Sequence, residues 1–164
     1  MSMRHIPRMG VLSVLVVGLV LAAVTPATAA TRHRIADSTG RTFATASTTD
    51  RHVTMQPPSG RANQVWELTL TSIGDRLTNV LTGGCLAVPA NSTVQRPPVI
   101  QQPCQGTPYE RWQRVQTTST TVAFRNVGLQ GRCMGIDPTS FPARLLAFPC
   151  NFGATNQHFR LLAP

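Results

Sequence analysis

At 164 residues the chain has room for one domain or a small pair. Charged residues make up 13%, with 15 Lys+Arg against 6 Asp+Glu for a net charge of +9, and every base is Arg. So few charges exclude a long solvated helix or coiled coil, and six acids with four His leave little material for acid–base or metal chemistry.

In chain order, the first element is a leader. Arg4, His5 and Arg8 form a basic head, an apolar run covers 11–24, and Ala27-Thr28-Ala29 precedes Ala30. This is the three-part pattern of a secretory signal peptide over 1–29, and the apolar run is short of the ~20 residues of a permanent span. The alternative is an uncleaved N-terminal anchor. Cleavage after Ala29 removes two arginines and leaves 30–164 at +7. No second apolar run follows, so the mature part is expected to be secreted, extracellular and without a transmembrane segment.

The mature part reads as three copies of one unit, at about 32–72, 73–118 and 119–164. Gly40-Arg41-Thr42-Phe43-Ala44, Gly83-Gly84-Cys85-Leu86-Ala87 and Gly131-Arg132-Cys133-Met134-Gly135 align, as do Gln56-Pro57-Pro58, Gln102-Pro103-Cys104 and Phe148-Pro149-Cys150. Each unit closes on an aromatic, Trp66, Trp112 or Phe159, at a period of 46 to 47 residues. The alignment pairs the cysteines within units, Cys85 with Cys104 and Cys133 with Cys150. In the first unit Thr42 and Pro58 replace both partners together, the pattern expected of a bond inside the unit. Each bridge should contribute about 3 kcal/mol on a chain-entropy account. No Cys-x-x-Cys occurs, and no metal or cofactor is expected. Short runs at 65–70, 120–127 and 144–148 alternate or are rich in β-formers between turn signals. Short strands in threefold repetition predict an all-β, closed architecture with a shared core, the three closing aromatics packed inside it.

With the repeats aligned, Gly83 to Val88, Pro103-Cys104 and the Asn-Gln-x-Trp of 63–66 resemble the ricin B-chain type lectin repeat. The resemblance covers about 32–164. It implies a β-trefoil of three four-strand units, about 12 short strands, with one shallow sugar pocket possible per unit. In that family an Asp two places after the first cysteine accepts hydrogen bonds from the sugar; here the positions are Ala44, Ala87 and Gly135. An aromatic two places before the second cysteine stacks on the sugar; here the positions are Gln56, Gln102 and Phe148. The Asn-Gln pair is kept as Asn63-Gln64 and Asn156-Gln157 but becomes Tyr109-Glu110 in the second unit. The resemblance therefore places a degenerate carbohydrate-binding site in the third unit. Phe148 would be its platform, Asn156 and Gln157 its amides, and Asp137 a displaced carboxylate. The other readings are Asp137 as a turn residue before Pro138 and Phe148 buried under a loop.

Glu67, Glu110, Asp37, Asp50, Asp75 and Asp137 form no recognisable acid pair, and no nucleophile elbow appears, so no catalysis is expected. The arginines scatter, which argues against a specific nucleic-acid partner and leaves loose attraction to anionic cell-surface polymers. Two functions stand at this point. One is a secreted lectin-like module for glycans or cell-surface polysaccharide. The other is a trefoil that has lost sugar binding and acts on a protein partner as an inhibitor, toxin subunit or envelope component.

Overall fold

The computed structural model describes residues 30–164; the leader assigned to 1–29 lies outside them. Twelve strands run in chain order among the described residues: β1 Thr31–Asp37, β2 Phe43–Ala46, β3 Val53–Gln56, β4 Trp66–Thr71, β5 Gly74–Asn79, β6 Cys85–Ala87, β7 Ile100–Gln102, β8 Arg111–Gln116, β9 Val122–Asn126, β10 Arg132–Asp137, β11 Ala143–Pro149 and β12 Phe159–Leu162. The polar residues that end the first strand of each repeat make the turn that follows. Asp37 accepts the N–H groups of Thr39, Arg41 and Thr42, Asn79 those of Leu81 and Thr82, and Asn126 that of Leu129. Such side-chain turns are what Asp and Asn favour. Thr42, standing where the other repeats have a cysteine, gives its hydroxyl to Asp37 at 2.6 Å.

Six strands close on themselves without an edge: β1 pairs β4, β4 pairs β5, β5 pairs β8, β8 pairs β9, β9 pairs β12, and β12 returns to β1. All six contacts are antiparallel. The other strands form three hairpins, β2–β3, β6–β7 and β10–β11, which cap one end of the barrel. The hairpins also touch in a ring, through His52 opposite Ile100, Pro98 opposite Leu146, and β11 opposite β3. A six-stranded barrel capped by three hairpins is a β-trefoil, as the repeats and the resemblance imply.

Inside it, Trp66, Trp112 and Phe159 are fully buried together with Ile35, Leu77 and Phe124 from the first strand of each repeat. The indoles are not left with idle donors: Trp66 Nε1 donates to Ala44 O and Trp112 Nε1 to Leu86 O, both at 2.8 Å. Both disulfides pair as the alignment requires, Cys85–Cys104 and Cys133–Cys150. Among the described residues no helix is long and apolar enough to cross a membrane.

Candidate binding site

One residue set expected to bind sugar lies on β10, β11 and the single 3-10 turn of Thr155–Gln157 before β12. The structure gathers three of its four members around Gly135 and Ile136. A Cβ placed on Gly135 would come 2.7 Å from Phe148 Cδ2 and 3.2 Å from Gln157 Cγ. The Phe148 ring therefore fills the space that an acid at this position would need. The Arg96 guanidinium, reaching over from the loop between β6 and β7, sits 5.2 Å from the ring centroid, close enough for cation–π attraction. Asn156 donates its Nδ2 to Ile136 O at 3.2 Å.

Gln157 does something other than was expected from the repeat. It is 3% exposed; its Oε1 accepts the Asn151 N–H and its Nε2 donates to Pro149 O, each at 3.0 Å. It clamps the loop that carries Cys150. Gln64 does the same in the first repeat, accepting from Ser59 N–H at 2.8 Å and donating to Pro57 O at 2.9 Å. In the second repeat the Glu110 carboxylate, fully buried, takes the N–H groups of Gln105 and Gly106 and the Gln102 amide. The position asks for an acceptor aimed at loop N–H groups, which Gln and Glu both supply.

Asp137 takes the turn role. Its Oδ1 accepts the Thr139 hydroxyl at 2.8 Å and the Thr139 N–H at 3.1 Å. Those two bonds, hydroxyl first, hold its carboxyl below the usual carboxylate range, and the charges of Arg96 and Arg144 add to them.

A more open constellation lies where the first and third repeats meet, in a cleft of about 380 Å³. The β2–β3 hairpin supplies Asp50, His52, Thr54 and Gln56, and the 3-10 turn Ala62–Gln64 supplies Asn63. The turn between β10 and β11 contributes Phe141, and the pairing of β11 with β3 sets Arg144 opposite Thr54. Phe141 is fully exposed. Asn63 gives its Nδ2 to Ala46 O at 3.1 Å, while its Oδ1, buried from solvent, has no partner. Asp50 accepts the His52 N–H at 2.8 Å. That bond, then the Ser47 hydroxyl, holds its carboxyl below the usual range and ionised at neutral pH. The cleft thus offers a free ring, an anionic acceptor and a guanidinium. Among the described residues no group of three or more His, Cys, Asp and Glu is placed to hold a metal ion.

The repeat alignment marked Asn63 and passed over Phe141, Asp50 and His52. An aromatic between Ser140 and Pro142, in a hairpin turn whose counterparts at 47–52 and 88–99 carry no Phe, Tyr or Trp, was the available signal. A ring in such a place has no core to enter.

Residues 62–140 match the family model of the ricin-type beta-trefoil lectin domain-like proteins. The fold is a β-trefoil. Solved structures agree with that over most of the chain. The designed 3-fold symmetric protein ThreeFoil matches with a TM-score of 0.72 at 22% identity, covering 81% of this chain and 99% of its own. The Macrolepiota procera ricin B-like lectin, solved in complex with lactose, gives 0.70 at 13% identity over 85% of this chain and 100% of its own. The Haemophilus ducreyi cytolethal distending toxin gives 0.67 at 18% identity, covering 88% of each. A comparison with curated proteins finds no match.

Proposed function

We propose that this β-trefoil is an exported, non-catalytic carbohydrate-binding module. Its partners are glycans of a cell surface or an extracellular polysaccharide. The observation that carries the reading is the cleft between the first and third repeats, where the exposed Phe141 ring stands beside Asp50, Asn63 and Arg144. A sugar needs an apolar platform for its C–H face and fixed polar groups for its hydroxyls, and these side chains supply both. The resemblance to ricin-type lectins supports the same reading. So does the lactose-bound relative, whose fold this chain shares.

The site thereby lies where the first and third repeats meet. Within the third, Phe148 lies under the Arg96 guanidinium and Asn156 is bonded to Ile136 O, with Asp137 and Gln157 shaping the loops around them. Export is inferred from the leader pattern at 1–29 and fits two disulfide bonds, which persist in oxidising surroundings. A single shallow site of this kind binds in the millimolar range, about −4 kcal/mol.

A glycan array read at low and at physiological salt tests the proposal. Saturable binding competed by free sugar at both salts is the expected result. Silence, or retention that vanishes with salt as a mere charge attraction would, overturns it. That outcome would favour a trefoil working through a protein partner, as a toxin subunit or inhibitor.

A further inference from the structure

The loop of residues 47–50 separates the cleft between the first and third repeats from a second one of about 700 Å³, and Ser47, Thr48 and Asp50 line both. The far side of the second cleft belongs to the second repeat: the turn at 82–84 and the end of β7 with Pro103 and Cys104. Each cleft alone has the size of a small-molecule site, and together they exceed what one small ligand fills. We propose that the two are halves of one groove and that it takes an oligosaccharide chain laid across the 47–50 loop. This rests on the lectin reading of the first cleft.

The loop is built as a fixed saddle. Ser47 Oγ accepts the N–H groups of Thr49 and Asp50 at 3.3 and 3.2 Å, and Asp50 Oδ1 accepts that of His52. Gln101, 7% exposed, donates its Nε2 to Ser47 O and Asp50 O from beneath, and its Oε1 accepts the Thr82 hydroxyl at 2.6 Å. One buried amide thus pins the first repeat to the second along the groove. A chain docking there meets a surface already ordered, so little loop entropy is lost on binding.

The second half suits a sugar chain in its chemistry. Pro103 and the Cys104 end of the disulfide present apolar surface. Gly83 brings its backbone forward with φ at +69° and nothing within 4 Å of where a Cβ would stand, room that lets a ligand approach the main chain closely. Arg51 adds a guanidinium without a salt-bridge partner among the described residues, and Thr49 a hydroxyl that lies 3.3 Å from Ser47 Oγ.

The test uses glucose, galactose, xylose and N-acetylglucosamine, each beside its β-linked hexamer, titrated into the protein by calorimetry and by NMR. For the sugar that binds, the hexamer should be at least about tenfold tighter than the monomer, or ~1.4 kcal/mol. Amide shifts should reach 82–84, Gln102 and Cys104 with the hexamer and stop near Asn63 and Phe141 with the monomer. Arg51→Ala, in an exposed side chain, should weaken the hexamer threefold or more and leave the monomer unchanged. Equal affinities, or hexamer shifts confined to the first cleft, overturn the groove and leave the lectin reading intact. Failure of every monomer and hexamer to bind overturns both.

Discussion

Phe141 and Phe148 lie seven positions apart at either end of one strand and have opposite fates. Phe141 projects fully into solvent beside Asp50 and Asn63. Phe148 lies against Gly135 with Arg96 over its ring. The repeat alignment singled out Phe148 because its place is marked by the cysteine two residues on. It could not show that an arginine from the second repeat would cover it, since that neighbour is set by how the three hairpins meet. Nor could it show Asp137 spending its Oδ1 on Thr139, although the Asp-Pro pair carried the turn signal. Phe141→Ala should lower sugar affinity tenfold or more and shift stability by less than about 0.5 kcal/mol, as expected where nothing is buried. Phe148→Ala should leave affinity within twofold and cost about 1–2 kcal/mol for the lost half-buried ring. Titration and thermal melts on the two variants decide it. Binding lost with Phe148 and kept without Phe141 would move the site to the Phe148 surface.

Elements were easier to read than contacts. The alternating run at 65–70 became β4, that at 120–127 contains β9, and that at 144–148 lies within β11, because period-2 patterning needs only one buried face. The disulfides were legible for a different reason: the first repeat lost both partners at once. The 3-10 turns before β4, β8 and β12 were not legible, being single turns of three residues with no apolar period of their own. Without them the role of Gln64, Glu110 and Gln157 stays hidden, since a Gln beside an Asn in a lectin-like repeat reads as a sugar ligand. The turn instead points the side chain back into the loop that precedes it. Gln157→Ala should therefore destabilise the fold by about 1–3 kcal/mol, because Pro149 O and the Asn151 N–H lose a shared partner. Urea denaturation should show a lower midpoint with an unchanged slope. A variant with the wild-type midpoint would mean that the loop is held by something else.

At the scale of the molecule, the closed barrel makes the three repeats one cooperative unit. The first repeat is the one without a disulfide, yet its β1 pairs with β12 of the third and its β4 with β5 of the second. Trp66 from that repeat is packed in the same core as Trp112 and Phe159. A cavity at Trp66 should thus be felt everywhere, and it would also strand the Ala44 carbonyl that its indole bonds. Trp66→Ala should cost about 3–5 kcal/mol. Trp112 is then the one remaining tryptophan, so its fluorescence reports on the core around the second repeat, while far-UV circular dichroism averages over all three. In a cooperative trefoil the two signals should fall together at one lowered midpoint, the behaviour of a two-state domain. If the dichroism drops first and Trp112 holds to the wild-type midpoint, the first repeat unfolds by itself. The barrel would then not be the unit that carries the stability of the chain.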